Sequence, residues 1–312
     1  MSATANCIAV TGATGFVGQA LLDAAQAAGL RLRALTRRPQ PPRGGIDWIA
    51  GGLDDGDALA RLADGADALI HIAGAVNVPT RADFAAANIA GTQAVLRAAG
   101  AGGVRRFVHV SSLAAREPGL SNYGWSKAEA EAAVRAGPLP HAIVRPPAVY
   151  GPRDTDMLEL FRMARAGVML LPPPGRLSVI HVEDLVRLLL ALTGEAGEAN
   201  GAQDGALLEP DDGTPWGIDH RDLARMISVA VRRPRTLRLS APAALVRLAA
   251  RGDRLVRRDR AKLTPDRAGY MCHPDWVSTP ALAPDAALWR PRWETQAGLV
   301  MTADWYRANG WI

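Results

Sequence analysis

Three glycines follow the first predicted strand and open the first predicted helix. They lie in Gly12-Ala-Thr-Gly15-Phe-Val-Gly18, between an apolar run at residues 7–11 and a helical pattern at 17–28. A turn of this kind brings backbone close to a pyrophosphate, and the free N–H groups and dipole of the helix N-terminus favour the anion. Gly12 suits the tight turn and Gly18 suits close packing of helix on strand. The pattern predicts a dinucleotide site on a parallel α/β sheet.

The first half of the chain alternates short apolar runs with alanine-rich helical stretches, which predicts βαβ units and a sheet covered on both faces. We therefore expect an α/β fold with a doubly wound parallel sheet (Rossmann) and a smaller C-terminal substrate-binding lobe. The predicted strands are 7–11, 32–36, 46–49, 68–72, 106–111 and 142–145, and the predicted helices are 17–28, 57–62, 81–100, 123–135, 157–166, 183–192 and 220–231. The dinucleotide-binding domain is expected at 1–152 with part of 176–205, and the lobe at 153–175 and 206–312.

Composition is that of a globular chain of 312 residues, with 48% hydrophobic and 21% charged residues. The two cysteines, Cys7 and Cys272, form no disulfide framework and no metal-binding spacing, so no metal is expected. The N-terminus lacks a basic segment before its apolar run, and no uninterrupted apolar stretch approaches the ~20 residues of a membrane span. We expect a cytoplasmic location.

The net charge of +5 comes mainly from arginines, which cluster at residues 247–262. A solvated helix face is the simplest interpretation of this basic run. The alternative is an amphipathic helix that lies on an anionic membrane, although Gly252 weakens it. Aromatic residues are not interleaved with the basic ones, so nucleic acid is not expected as a partner.

Tyr123 and Lys127 lie one turn apart at the start of a predicted helix. A cation ~4 Å from a phenol stabilises the phenolate by about 4 kcal/mol at an effective dielectric near 20. That would lower the tyrosine pKa from about 10 to roughly 7. A phenol tuned in this way exchanges a proton with an alcohol or a ketone near neutral pH.

Arg37 and Arg38 follow the second predicted strand, where enzymes that use NAD carry an acidic residue for the ribose 2′-hydroxyl. No acid stands here, and guanidinium groups suit a phosphate. The sequence therefore favours NADP over NAD.

Residues 6–192 resemble the extended or atypical short-chain dehydrogenase/reductase superfamily, whose members are often described as NAD-dependent epimerase/dehydratase-like. The glycine turn and Tyr-xxx-Lys carry the resemblance together with His71-Ile-Ala-Gly74, Asn88-Ile-Ala-Gly-Thr92, Val110-Ser-Ser112, Arg145-Pro-Pro-Ala-Val-Tyr-Gly-Pro152 and His181-Val-Glu-Asp-Leu185. It implies a catalytic set of Ser112, Tyr123 and Lys127. It also implies cofactor contacts from Gly12, Thr14, Gly15, Phe16, Val17, Gly18, Arg37, Arg38, Leu53, Ala73, Gly74, Ala75, Ser111, Tyr123, Lys127, Pro146 and Val149. His71, Asn88 and His181 are expected to be structural.

The chain departs from the superfamily pattern in three places. Gly52-Leu53 stands where an acidic residue often contacts the adenine, so Leu53 is expected to pack on the ring instead. Ala148 stands where sugar-nucleotide epimerases tend to carry an asparagine that touches the sugar. Ten residues separate Ser112 from Tyr123, fewer than in many relatives, which suggests an open or differently covered site.

We therefore expect an NADP-dependent oxidoreductase that interconverts a carbonyl and a secondary alcohol on a small substrate not linked to a nucleotide. The alternatives are a sugar-nucleotide epimerase or dehydratase and a non-catalytic dinucleotide-binding subunit. The resemblance also implies a homodimer formed through helices 81–100 and 123–135. The sequence does not identify the substrate.

Overall fold

The computed structural model describes residues 7–194, 204–257, 261 and 263–312, which form a large sheet domain and a smaller lobe. The strands are β1 (Cys7–Thr11), β2 (Arg31–Thr36), β3 (Ile46–Ala50), β4 (Ala68–His71), β5 (Arg106–Val110), β6 (His141–Val144), β7 (Ala148–Tyr150), β8 (Val168–Leu171), β9 (Arg176–Leu177), β10 (Val179–His181), β11 (Ala206–Leu208), β12 (Ile218–Asp219), β13 (Leu237–Ser240) and β14 (Asp275–Trp276). The α-helices are α1 (Phe16–Ala27), α2 (Gly56–Ala63), α3 (Arg81–Phe84), α4 (Gly91–Ala101), α5 (Asn122–Ala136), α6 (Leu158–Ala166), α7 (Val182–Ala191), α8 (His220–Ala230), α9 (Ala243–Arg257), α10 (Pro265–Met271) and α11 (Thr295–Ala308).

The main sheet has seven parallel strands in the order β11-β6-β5-β4-β1-β2-β3. The central strands β1, β4 and β5 are buried along almost their whole length, as expected for a parallel sheet covered on both faces. The chain order reverses between β1 and β4, so the carboxyl ends of these two strands flank a crevice. Ligands of doubly wound folds bind at such a reversal point. This confirms the predicted fold class.

Helices cover both faces of the sheet. On one face α1 packs against α7, and the apolar cluster between them and the sheet includes Leu21, Leu22 and Leu188. On the other face α2, α4 and α5 pack together over Leu69 and Phe107. The predicted helices at 17–28, 57–62 and 183–192 differ from the observed ones by one residue at each end.

The predicted helix at 81–100 contains an irregularity. Between α3 and α4 the backbone stays helical, but residues Ala85–Ala90 form a π-helix. Such wide turns often occur at functional sites. Here the wide turn carries Asn88, whose buried side chain reaches the loop after β4.

The smaller lobe contains short sheets and its own core. Strand pairs β7–β10 and β8–β13 and the three-stranded β12-β9-β14 sheet lie beside α6, α8 and α11. Tyr150, Phe161 and Tyr306 are fully buried at its centre. Helices α9 and α10 pack mainly on each other, around a small cluster that includes Val246, Ala250 and Ala268. No helix within the described segments is long and apolar enough to cross a bilayer.

One predicted boundary is wrong. Residues 206–208 were placed in the lobe, but they form β11, which pairs in parallel with β6 and extends the main sheet. The three-residue strand is too short to give a periodic signal, and only its pairing with β6 identifies it.

The glycine turn is held by close backbone contacts. Gly12 has a positive φ of 75°, and a Cβ atom there would lie 2.6 Å from the backbone nitrogen of Ala73. A Cβ on Gly18 would lie 2.6 Å from the Cα atom of Ala13 and would also overlap the carbonyl oxygen of Gly12. Both glycines therefore permit α1 to start directly against the ends of β1 and β4.

We expect Gly18→Ala to lower the free energy of unfolding by about 2 kcal/mol, because the new methyl group meets backbone that cannot rotate away. Urea unfolding measures the loss. Gly100→Ala is the matched control, since a Cβ at Gly100 in α4 meets nothing within 4 Å. Its stability should be unchanged or higher by up to about 1 kcal/mol. Equal stability of the two variants would contradict the packing role of Gly18.

Candidate active site at the carboxyl edge of the sheet

The N-terminus of α1 is open toward the crevice. Its first residues follow Gly15, whose backbone is extended and which supplies no side-chain cap. Thr14 and Gly15 are exposed, and Phe16 and Val17 are partly buried. The first N–H groups of a helix have no partner within it, so this turn offers donors and a positive dipole end to an anion. The geometry is the one predicted from the three glycines.

Arg37 and Arg38 lie directly after β2 with exposed side chains. Within the described part of the chain neither forms an ion pair. Leu53, beyond the end of β3, packs on Gly91 of α4, where a Cβ would come within 2.8 Å of a Leu53 methyl carbon. Two unpaired guanidiniums and an apolar side chain thus border the same end of the sheet.

The loop after β4, Ala73 to Ala75, faces the glycine turn. Asn88 holds it in place: the backbone N–H of Ala75 donates to Asn88 Oδ1 at 2.6 Å, and Asn88 Nδ2 donates to the Ala75 carbonyl at 2.9 Å. Asn88 Nδ2 also donates to Ser126 Oγ at 2.8 Å, which joins the loop to α5. Asn88 is therefore structural, as expected.

Helix α5 carries Tyr123 and Lys127 in its first two turns. Ser121 caps the helix by accepting a hydrogen bond from the backbone N–H of Gly124 at 2.9 Å. Lys127 is buried, and its Nζ donates to the carbonyl of Val110 at 2.8 Å. A Cβ on Gly74 would lie 3.8 Å from that Nζ. The ammonium therefore lies beneath the loop after β4.

Tyr123 does not have the lowered pKa predicted from its neighbour. Burial raises the pKa of Tyr123 to about 12, although a side-chain hydrogen bond with Ser112 acts in the opposite direction. Burial raises the pKa because a phenolate is less stable away from water. The phenol is therefore protonated at neutral pH, which suits a proton donor.

Burial also changes the pKa of Lys127. It lowers the lysine pKa to about 8, although Glu131, one turn further along α5, raises it. Lys127 is charged at neutral pH and close to its titration range. The structure therefore brings a protonated phenol, the hydroxyl of Ser112 and an ammonium to one place.

A buried ion pair lies under this cluster. The Glu131 carboxylate accepts hydrogen bonds from Arg145 Nε and Nη2, both at 2.7 Å, and from Ser111 Oγ at 2.6 Å. Burial opposes its ionisation, but these donors hold the pKa of Glu131 below its usual range. Arg145 also approaches Glu209 at 3.4 Å. Glu131 is not among the predicted site residues. The spacing of four residues from Tyr123 to Lys127 and from Lys127 to Glu131 is the sequence signal that places all three on one face of α5.

The lobe contacts Tyr123 directly. Asp266 of α10 accepts hydrogen bonds from the backbone N–H groups of Asn122, at 2.5 Å, and Tyr123, at 3.3 Å. The rings of Phe84 and Tyr270 each lie 6.2 Å from the Tyr123 ring, centroid to centroid. No sequence pattern linked Asp266 or Tyr270 to this site, because they are more than 140 residues away from it along the chain.

Two clefts open beside these contacts. The larger, about 620 Å³, is lined by Arg81, the Pro118–Asn122 loop, Trp125 and Asp266. The smaller, about 160 Å³, lies between the Asn77–Pro79 loop and the α9–α10 hairpin, with Phe84 and Arg254 on its walls. Phe84, whose ring lies 6.2 Å from that of Tyr123, and Asn122, the neighbour of Tyr123 in the chain, both line the smaller cleft.

The remaining predicted contacts lie on the same edge. Ser111 uses its N–H on the carbonyl of Val144 and its hydroxyl on Glu131, so its carbonyl is its free polar group toward a ligand. Pro146 is buried and accepts from the backbone N–H of Leu113 at 3.0 Å, while Val149 in β7 is partly buried. Ser111, Pro146 and Val149 therefore border the crevice mainly through backbone and apolar groups.

His71 and His181 are structural, as expected. His71 is buried between the hydroxyls of Thr11 and Thr92, and His181 accepts from the backbone N–H of Glu183 to cap α7. Across the described residues, no group of three or more His, Cys, Asp or Glu side chains is placed to hold a metal ion.

We expect Glu131→Gln to lower the free energy of unfolding at pH 7 by about 3 kcal/mol, because it removes the nearest counter-charge of Arg145 and leaves only Glu209, at 3.4 Å. The folded pKa of Glu131 is depressed, so its contribution is complete above its ordinary value of 4.5 and is lost as pH falls. The stability gap between wild type and variant should therefore close in acid. Denaturant unfolding across pH measures it, with exposed Glu129→Gln on the same helix as control. A gap that does not change with pH would contradict this account.

Known proteins match the chain over most of its length. A model of the NAD dependent epimerase/dehydratase family matches residues 8–203. A ceramide reductase of Caulobacter vibrioides is 38% identical over 322 aligned residues, which cover 98% of this chain and 96% of the relative. A 4-hydroxy-2-methyl-3-oxo-4-farnesyl-3,4-dihydroquinoline-1-oxide ketoreductase of Stigmatella aurantiaca is 32% identical, with 64% of this chain and 69% of the relative covered.

Solved structures share the fold. The Bordetella bronchiseptica enzyme WbmG in complex with NAD superposes with a TM-score of 0.77 at 18% identity, over 99% of this chain and 96% of that one. The open N-terminus of α1 and the exposed Gly15 before it suit the phosphates of a dinucleotide in this chain. The chain belongs to the NAD dependent epimerase/dehydratase family of NAD(P)-dependent enzymes.

Proposed function

We propose that this protein is an NADP-dependent reductase that converts a ketone on an apolar, long-chain substrate into a secondary alcohol. The observation that carries the proposal is the partly buried, protonated phenol of Tyr123 in the first turn of α5, with the Ser112 hydroxyl beside it and the Lys127 ammonium one turn further along the helix. A protonated phenol in this position suits reduction, since the product alcohol needs a proton on its oxygen.

Each residue has a definite task in this reaction. Ser112 donates a hydrogen bond to the substrate carbonyl oxygen and orients it. Tyr123 donates its proton to the same oxygen as negative charge develops there. Lys127 stabilises the phenolate that results, and Glu131 holds Lys127 in its charged form. NADPH, when bound, supplies the hydride.

The choice of NADP over NAD rests on Arg37 and Arg38. Both are exposed at the end of β2, where the ribose of a bound dinucleotide lies in this fold, and neither pairs with a carboxylate in the described chain. Planar guanidinium groups bind a phosphate with two parallel hydrogen bonds. Leu53, packed on Gly91, offers an apolar surface for the adenine.

The substrate class rests on polarity and on the relatives. Ala148 offers no polar group where sugar-nucleotide enzymes of this superfamily tend to carry an asparagine. The two relatives are named for ceramide and for a farnesyl-bearing ketone, both of which carry long apolar chains. We assign substrate binding to the lobe, whose α9–α10 hairpin borders the smaller cleft, next to Asn122 and Phe84.

A homodimer through the α3–α4 helix and α5 is part of this proposal. The outward side chains of α5 include Ala128 and Ala132, which allow close approach of a second copy. Arg81 stacks on Trp125 at 3.5 Å and joins the two helical segments into one surface. Light scattering distinguishes such a dimer from a monomer.

We expect Tyr123→Phe to lower kcat for ketone reduction about 10²- to 10⁴-fold, because the variant has no proton to donate. The affinity for NADPH should change little, since the hydroxyl is lost without moving the ring. Loss of nicotinamide absorbance with a long-chain ketone measures turnover, and fluorescence titration measures binding. Full turnover by the variant would remove Tyr123 from the reaction, and no net absorbance change in the wild type would favour an epimerase.

We expect the double variant Arg37→Ala/Arg38→Ala to bind NADPH at least about tenfold more weakly, as loss of charge-assisted hydrogen bonds to the 2′-phosphate predicts. Its affinity for NADH should be unchanged. Arg31→Ala is the control, because this exposed arginine begins the same strand at the opposite end. Equal loss for both cofactors, or a wild-type preference for NADH, would contradict the assignment.

A further inference from the structure

Exposed apolar side chains are concentrated on one part of the lobe. Of the twelve large apolar side chains that are exposed in the described chain, eight lie on α9 and on the paired strands β8 and β13. A soluble surface normally scatters such side chains singly, and a cluster of them marks an interaction surface. The eight are Val168, Leu170, Leu237, Leu239, Leu245, Leu248, Leu255 and Val256.

The four strand residues share one face of a ribbon. Strands β8 and β13 run parallel with Val168 opposite Leu237 and Leu170 opposite Leu239, and all four alternate with more buried neighbours. No described element covers this outer face, since the four side chains are 43% to 60% exposed. Helix α9 begins three residues after the ribbon ends.

Helix α9 has two apolar faces. Val246 and Ala250 face α10 and are buried. The side chains of Leu248, Leu255 and Val256 do not face α10. Leu255 is 81% exposed and Val256 is 83% exposed. At 3.6 residues per turn, Leu245, Leu248, Leu255 and Val256 lie within about 100° of one another on the side away from α10. A helix with one buried and one exposed apolar face needs a partner for the second.

Arginines line one edge of the exposed face. Arg247, Arg251 and Arg254 recur at helical spacing and lie within about 60° of one another, beside Leu248 and Leu255. All three are exposed, and none takes part in an ion pair with another described residue. The acidic residue of the helix, Asp253, lies on the side toward α10 and accepts a hydrogen bond from the backbone N–H of Leu263. The outward surface is therefore apolar and positive.

We propose that α9 and the outer face of the β8–β13 ribbon dock on an anionic lipid bilayer. Leu245, Leu248, Leu255 and Val256 enter the boundary between headgroups and acyl chains, and the arginine row contacts anionic headgroups. A second copy of the chain fits this surface less well, because a twofold contact would bring the two arginine rows together without carboxylates between them. A bilayer supplies both the apolar layer and the negative charge.

Docking would place the catalytic cleft at the bilayer. The α9–α10 hairpin carries the lipid-facing helix on one side and Asp266 and Tyr270, which contact Tyr123 or its backbone, on the other. Arg254 lies both in the arginine row and on the wall of the cleft that leads to Phe84. The idea that docking delivers a ketone from the membrane to Tyr123 rests on the proposed function. The docking of the surface on a bilayer does not depend on that function.

Vesicle co-sedimentation of the full chain tests the proposal, without substrate or cofactor. Wild type should bind phosphatidylcholine vesicles that contain phosphatidylglycerol, should bind pure phosphatidylcholine much more weakly, and should be released by high salt. Arg247→Ala/Arg251→Ala should weaken partitioning about 25-fold, from roughly fivefold for each arginine near an anionic surface. Leu248→Glu/Leu255→Glu should abolish binding. Arg221→Ala and Val300→Glu, exposed positions on α8 and α11, are controls that should bind as wild type does.

Three outcomes would overturn the docking surface. The first is that the wild type does not bind vesicles. The second is that its binding depends neither on salt nor on the charge of the lipid. The third is that the wild type binds no vesicles but forms a dimer that dissociates in the Leu248→Glu/Leu255→Glu variant. Turnover of a water-soluble ketone, measured in parallel, separates this result from the reaction. If the protein reduces the ketone but does not bind vesicles, the proposed reductase function is retained and the proposed docking surface is wrong.

Discussion

The Glu131–Arg145 ion pair is the interaction on which the geometry of the site depends. Glu131 is almost completely buried on α5, two turns after Tyr123, and Arg145 follows β6 in the main sheet. Their double hydrogen bond holds α5 on the ends of the strands, and Ser111, directly after β5, donates to the same carboxylate. Buried charges are stable only when partners satisfy them, and Arg135 and Glu209 complete this network. Glu209 extends the network toward the lobe, because it accepts the backbone N–H of Thr279 as well.

The lobe completes the site from the opposite side. Asp266 accepts the first N–H groups of α5, so the helix that carries Tyr123 is capped partly by a residue far away in sequence. The rings of Tyr270 and Phe84 lie beside the partly buried Tyr123 ring, and burial is the main cause of its raised pKa. The same hairpin presents an apolar, arginine-edged face outward. The α9–α10 hairpin therefore contacts the start of α5 with one side and forms an exposed surface with the other.

Sequence reasoning was accurate where the chemistry is local. Gly12, Gly15 and Gly18 lie within seven residues, and so the strand, turn and helix around them could be predicted together. Helix boundaries in the first half agree closely for the same reason, since the apolar period is a local property. The prediction failed for Tyr123, because the Tyr-Lys spacing gives the attraction between the two groups but not their burial. It also assigned residues 206–208 to the lobe, although β11 completes the main sheet.

The sequence by itself determined the fold class and the glycine turn that opens α1, because each depends on side chains that are neighbours along the chain. Only the tertiary structure decided the raised pKa of Tyr123, the arginine that pairs with Glu131, the contacts of Asp266 and Tyr270 with the start of α5, and the outward face of α9. Those properties depend on burial and on partners brought from distant segments. Desolvation acts through everything that surrounds a group, and a linear pattern does not contain that information.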